Sequence, residues 1–383
     1  MTAPPSIRAR ALPSNPLRAL FPLAARPGMV SFANGHPSPD ACDIDGLAKA
    51  AARAAREPEA LRYGPSVGDT DLRVLLAGRS GSATDAVVVT TGSQQGIDLA
   101  CRTLADPGRA VAVPRAVYPA VLGVLAANGL GATPVAEDAD GIDPDALMRT
   151  LERDRPRALY LTPTYGNPTG AVMPPDRRVA ILDACAAAGC AVIEDDPYRD
   201  LWLDAPAPPA MGADPRGAVV VTLYSASKTL APGLRIGWMV VPAPLRATVA
   251  GLKQATDLQS SGLAQRTVLH YLADDGAGAW MEGVRGLYRA RRAALLEGLA
   301  AEGVAAERPA GGMFVWARLP EEVDAEAAFE RAVARGVLYA PGRAFAVGED
   351  PALERHLRLC FATGGEAVMR EGAARLGAAL RDD

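Results

Sequence analysis

Short apolar runs alternate with helical spacing through the middle of the chain. The runs Ala86–Thr90, Ala110–Val113, Ala158–Thr162, Ala191–Glu194, Val219–Leu223 and Ile236–Val241 are rich in β-branched residues and read as strands. Between them, Gln94–Leu104, Tyr118–Ala127, Asp143–Glu152 and Asp176–Ala188 space their apolar residues three and four apart, which predicts helices. Apolar strands separated by helices imply a sheet buried on both faces, an α/β layer fold. After about Pro242 the pattern becomes long and helical, over Leu245–Leu258, Leu263–Ala273 and Gly278–Ala301, and a shorter α+β stretch runs from Glu307 to the end. The expected division is an N-terminal arm with part of a small domain at 1–39, a large domain at 40–250, and an interdomain helix with the C-terminal small domain at 251–383. A chain of 383 residues can bury two sizeable cores.

Composition narrows the class. Hydrophobic residues make up 49% and charged residues 22%, as in ordinary soluble globular chains. A formal net charge of −4 argues against a general nucleic-acid binder. No apolar run is long enough to span a membrane. Cys42, Cys101, Cys185, Cys190 and Cys360 are scattered, which suits reduced, cytoplasmic thiols better than a disulfide framework. His36, His270 and His356 lie far apart, so no metal site is expected. Arg8, Arg10, Arg18 and Arg26 precede any acidic residue, without an apolar segment of the secretory kind. A transit peptide is a second reading of this segment, weakened by its prolines. An arm is expected instead, with a short helix starting near Ser14-Asn15-Pro16, where a cap residue precedes a first-turn proline.

The chain holds 40 Lys plus Arg, yet only Lys49, Lys228 and Lys253 are lysines. Arginine cannot deprotonate in proteins, whereas a lysine can become a neutral amine and form an imine. Lys228 therefore suggests amine chemistry. It follows strand Val219–Leu223 with Ser225 and Ser227, and Arg235 lies seven residues on. In open α/β sheets ligands bind beyond the carboxyl ends of strands, and the other unusual residues fall at such ends. Thr91-Gly92-Ser93-Gln94 opens a helix, which is either a phosphate cradle or an ordinary capped terminus. Tyr118 could present its ring to a flat ligand or simply pack. Asn167, in Gly166-Asn167-Pro168-Thr169-Gly170, either offers a donor or closes an Asx turn. Asp195 could hold a protonated ring nitrogen, and Tyr198 could donate to a phenolate-like oxygen. Amine, carboxylate, hydroxyl or amide donors and a phosphate cup together match pyridoxal 5′-phosphate.

With these stretches the chain resembles the fold-type I, class I/II aminotransferases, in which a mixed, mostly parallel sheet is sandwiched by helices beside a smaller α+β domain. The likeness is greatest to the 2-aminoadipate and aromatic aminotransferase group, and to the aminotransferase-like domain of MocR regulators. It is carried by Ser14–Pro39, Tyr63–Gly68, Thr91–Asp98, Asn167–Gly170, Glu194–Tyr198, Ser225–Trp238, Gly311–Trp316, Pro341–Phe345 and Leu357–Phe361. The resemblance implies that Lys228 forms the internal aldimine and serves as the acid/base. It implies that Asp195 pairs with the pyridine nitrogen, that Asn167 and Tyr198 bond O3′, and that Tyr118 stacks on the ring. Ser93, Gln94, Ser225, Ser227 and Arg235 would hold the phosphate, and Tyr63 would reach the phosphate of a neighbouring subunit in a homodimer. Arg358 would clamp the substrate α-carboxylate, beside Asn167, Gly35 and His36, and Arg18 would sense a substrate side chain. The implied reaction moves an amino group from an L-α-amino acid to a 2-oxo acid, with no nucleic-acid or membrane partner.

The chain departs from its relatives at Asn34-Gly35-His36-Pro37 and Ala41-Cys42-Asp43, where Gly-Gly-Leu-Pro and Phe-Pro are usual. The departures leave open a tolerated loop change. They also leave open a different outcome on the same scaffold, namely β- or γ-elimination, replacement or oxidation. A cofactor sensor of the MocR kind is a third reading; only about thirteen residues precede the arm helix, too few for a winged helix-turn-helix. A purely structural protein would leave Lys228, Asp195 and Arg358 unexplained.

Overall fold

The computed structural model describes residues 4–381; the outermost limits expected for the domains, 1 and 383, lie outside them. Seven strands form the main sheet: β1 (Val87–Thr90), β2 (Ala110–Pro114), β3 (Gly131–Val135), β4 (Ala158–Leu161), β5 (Ala191–Asp195), β6 (Val220–Ser225) and β7 (Gly237–Val240). Their order is β1-β7-β6-β5-β4-β2-β3. Neighbours from β6 to β3 run parallel, and β7 is antiparallel to both β6 and β1.

Alternation along the strands divides the core between the two faces. Val111, Val113, Tyr160, Ile193 and Leu223 pack on one side with Ile97 and Leu99 of helix Ser93–Leu104. Ala112, Leu159, Leu161, Val192 and Val220 pack on the other with Ile181 and Leu182 of helix Pro175–Ala188. Strand β3 was not expected from sequence. It is an edge strand whose Pro134 is exposed, and proline is tolerated at an edge because no donor is needed there. Helices Ile44–Ala54, capped by Asp43, and Thr70–Ser80, capped by Asp69, are also additions. The expected arm helix is a 3-10 turn over Pro16–Leu20, capped by Asn15, followed by the single α-turn Phe21–Ala24.

A second sheet joins β8 (Ala305–Ala306), β9 (Phe314–Arg318), β10 (Ala340–Pro341) and β11 (His356–Cys360) in the order β8-β9-β11-β10. The 26-residue helix Gly276–Ala301 packs against helix Glu366–Arg381 beside it. Val30–Ser31 pairs in parallel with Val337–Leu338, and Cys360 N–H donates to Phe32 O at 2.9 Å. These bonds bring residues 33–36 over the carboxyl edge of the main sheet. Among the described residues no helix is long and apolar enough to cross a membrane.

Candidate active site

Asp195 is the last residue of β5 and is 5% exposed. Tyr160 Oη donates to its Oδ2 at 2.7 Å, while Oδ1 is buried with no partner among the described residues. Burial raises this carboxyl to about 6, with the Tyr160 hydrogen bond and the charge of Lys228 pulling the other way. Lys228 lies in the turn after β6. Its Nζ donates to Gly35 O at 2.6 Å and stands 5.9 Å from the Tyr198 ring centre. Burial draws this amine down to about 8, so a minor but substantial fraction of it is neutral near physiological pH. Tyr198 is buried edge-on to Phe314, with ring centres 5.7 Å apart. Half-buried Tyr118 precedes helix Pro119–Ala127; burial, and then the charge of Asp195, raise its phenol. The positive charges of Arg358, Arg235 and Arg18 act on it in the opposite direction.

Helix Ser93–Leu104 starts after Gly92, and no side chain caps it. Its first N–H groups are therefore open to an anion, which the helix dipole also favours. Gly92 has φ +79°, and a Cβ there would collide with Nη2 of Arg235. Glycine thus lets the guanidinium close over the turn. Arg235 donates to Ser227 Oγ at 3.3 Å and Thr91 O at 3.4 Å, and Ser225 Oγ accepts from Ser227 N–H at 3.1 Å. The Gln94 side chain turns toward Ala120 O, 3.4 Å from Nε2, leaving its backbone N–H in the first helical turn.

Arg358 sits on β11 and is 1% exposed. Nη1 donates to Asn167 Oδ1 at 2.9 Å, and Nη2 to Ala33 O at 2.5 Å and Asn34 O at 3.2 Å. The guanidinium lies 4.5 Å from the Phe314 ring centre and 5.0 Å from that of Phe345. Asn167 Oδ1 thus serves Arg358 rather than closing an Asx turn. Burial lowers the guanidinium, but arginine remains charged, so an anion is the natural ligand.

Asp195, Lys228, Tyr198, Tyr118, Asn167, Gly35 and Arg358 converge. Arg18 is exposed on the arm turn, and His36 is exposed with Nδ1 3.1 Å from Pro37 O. Tyr63 is 86% exposed, on a segment held by Gln259, which accepts from Gly64 N–H and donates to Arg62 O. Sequence reasoning missed Tyr160 beneath Asp195. It also missed the group Thr91, Gln95, Lys253, Asp257 and Ser260 behind the anion cup. The rarity of lysine was a usable signal for Lys253.

A free buried carboxylate oxygen, a partly neutral amine and an open helix terminus roofed by arginine fit pyridoxal 5′-phosphate. Residues 27–376 match the family described as aminotransferase class I and II. The 2-aminoadipate transaminase of Thermus thermophilus is 37% identical, over 95% of this chain and 93% of its own length. The aromatic-amino-acid aminotransferase 1 of Thermococcus litoralis is 30% identical, over 99% of this chain and 94% of its own. The solved structure of Thermus thermophilus LysN, an α-aminoadipate aminotransferase complexed with N-(5′-phosphopyridoxyl)-L-leucine, superposes with a TM-score of 0.90. It is 35% identical, covering 98% of this chain and 97% of that one. The chain is a fold-type I enzyme and belongs to the class I and II aminotransferases. Its cofactor is pyridoxal 5′-phosphate and its reaction is amino-group transfer.

Proposed function

We propose that Lys228 is the amine that carries the cofactor and handles the substrate α-proton. The observation that carries this is the pairing of a partly neutral Lys228 with buried Asp195, whose Oδ1 awaits a donor. When bound, pyridoxal phosphate supplies an aldehyde for imine exchange and a sink for the electrons left on Cα. Asp195 Oδ1 accepts the ring N–H, and its negative charge keeps that nitrogen protonated. Tyr198 and Asn167 bond the ring oxygen, and Tyr118 covers the ring. The open N–H groups of Ser93 and Gln94, with Ser225, Ser227 and Arg235, hold the phosphate. Arg358 holds the α-carboxylate through its fork, and Asn167 and the Ala33 and Asn34 carbonyls fix its plane. Once freed, Lys228 Nζ takes the proton from Cα and holds it for return.

The substrate is an L-α-amino acid with an acidic or adaptable side chain, which Arg18 and the Gly35–His36 segment would meet. A 2-oxo acid is the acceptor. The active form is a homodimer. Exposed Leu61 (70%) and Tyr63 (86%) support it, and Tyr63 completes the neighbour's phosphate site. The five free cysteines favour a cytoplasmic location. We place the working division at 1–39, 40–250 and 251–383. The elimination, replacement or oxidation reading rested on the loop departures, and exposed His36, against Pro37 O, lends it no support.

Borohydride reduction of the cofactor-loaded protein, followed by peptide mass analysis, tests the central assignment. The expected result is a pyridoxyl adduct on Lys228 and none in Lys228→Ala. An adduct elsewhere, or none, overturns it. Screening amino acids for keto-acid and pyridoxamine phosphate formation identifies the donor.

A further inference from the structure

Among the described residues only one oxygen of Asp195 is taken. Tyr160 Oη donates to Oδ2 at 2.7 Å, and Oδ1 has no partner. Tyr160 is 1% exposed, and its hydroxyl lies 3.4 Å from Thr162 Oγ1. In the β4–β5 register Tyr160 stands opposite Ile193, two residues before Asp195, so its phenol spans the gap to the strand end. Its ring packs in the core on the face of helices Ser93–Leu104 and Pro119–Ala127. That packing leaves it little freedom.

We propose that Tyr160 is a positioning residue for the cofactor ring, fixing the Asp195 carboxylate by Oδ2 so that Oδ1 faces the ring nitrogen. The proposal rests on the reading of Asp195 as the partner of that nitrogen. A carboxylate held at one oxygen by a rigid phenol presents the other at a set angle, whereas an unanchored one can rotate about its Cβ–Cγ bond. The same bond favours the charged carboxylate against burial. Lys228 also favours that charge, but its ammonium is lost once the lysine is engaged as an imine former. Tyr160 then remains the donor of fixed position. Its own phenol is driven well above the ordinary value, by burial first and then by Asp195, so it stays a proton donor throughout the working range.

The test compares wild type, Tyr160→Phe and Asp195→Asn, measuring pyridoxal phosphate binding to the apoprotein as a function of pH. For the wild type, affinity is expected to fall as pH drops through about 6. Tyr160→Phe fills the same space and removes one hydrogen bond to a charge. It is expected to weaken binding about tenfold at neutral pH and to move the midpoint upward. The KM for the amino donor should be unchanged, because Arg358 is untouched. A Tyr160→Phe profile that superposes on the wild type, with Asp195→Asn weakened, overturns the role of Tyr160 alone. Wild-type affinity in Asp195→Asn overturns the reading of Asp195 and the proposal with it. If Tyr160→Phe is recovered unfolded, Thr162→Val, which removes the neighbour of the phenol, is titrated instead. A small upward shift of the midpoint supports the proposal, and none counts against it.

Discussion

Lys253 Nζ lies 2.6 Å from Asp257 Oδ1, one helical turn away, with the lysine side chain wholly buried. Nζ also reaches Ser260 Oγ at 3.2 Å. Asp257 Oδ2 accepts from Gln95 Nε2 at 2.7 Å and Thr91 Oγ1 at 2.9 Å, and Thr91 N–H donates to Gln95 Oε1 at 2.8 Å. This ring of bonds ties helix Arg246–Asp257 to the turn that forms the anion cup. It also fixes Thr91, whose carbonyl accepts from Arg235. In a lysine-poor chain, partly buried Lys228 is the amine proposed for chemistry, and wholly buried Lys253 braces the loop proposed to hold the phosphate.

Lys253→Met should therefore act twice. It takes the counter-ion from charged Asp257, which keeps its bonds from Gln95 and Thr91, a loss of about 3 kcal/mol in unfolding free energy, at the low end for a broken buried pair because Asp257 keeps some exposure. It should also weaken cofactor binding, since Asp257, the anchor of Thr91 and Gln95, is no longer held in place by Lys253. Urea unfolding of the apoprotein and a cofactor titration check the two effects separately. Unchanged affinity in a destabilised variant would reduce Lys253 to packing.

The sheet was legible because its inner strands are buried on both faces, so β-branched runs such as Val219–Leu223 stand out without context. Edge strand Gly131–Val135 carried no such signal, because it is half-solvated and contains Pro134. Helix Ile44–Ala54 buries only Ala50 and Ala54, small residues that mark a core face weakly in the sequence. In the candidate site, residues proposed to hold a ligand themselves were readable as odd chemistry at strand ends. Residues that act through another residue were not. Tyr160 looks like an ordinary strand tyrosine until Asp195, 35 positions later, is seen against it. Thr91 and Asp257 are separated by 166 positions, and only the packed structure pairs them.

The lowered basicity of Lys228 predicts a pH dependence for the covalent capture of the cofactor proposed for it. Only the neutral amine attacks an aldehyde. Burial brings the amine from its ordinary 10.5 to about 8, so the capture rate should climb about tenfold per pH unit below that value and level off above it. Rapid mixing of apoprotein with pyridoxal phosphate, with borohydride trapping, gives the profile. A rate still rising toward the ordinary lysine value would show that burial does not activate Nζ. Lys228→Arg should trap nothing at any pH.

Arg358 is held by three protein oxygens and faces two aromatic rings, so its remaining capacity suits a planar anion. Arg358→Gln should cut kcat/KM for the amino donor by about 2–4 kcal/mol, through loss of a charge-assisted fork in a desolvated site. The effect should fall mainly on KM. A primary amine without an α-carboxylate, turned over slowly by the wild type, should lose little. Equal losses for both substrates would assign Arg358 to site architecture rather than to carboxylate recognition.

Tyr63 offers a test of shared sites. Tyr63→Ala and Lys228→Ala homodimers should each be nearly inactive, the first for want of a phosphate ligand and the second for want of the amine. In a hybrid dimer, the Tyr63→Ala subunit contributes Lys228 to a site completed by Tyr63 of its Lys228→Ala neighbour. That site has every native residue. Random reassortment at equal amounts makes half the dimers hybrids with one native site each, restoring about a quarter of wild-type activity. Were Tyr63 to serve the site of its own subunit, hybrids would contain no complete site and mixing would restore nothing. Recovery on co-expression or joint refolding thus separates a partner-directed Tyr63 from an exposed surface tyrosine.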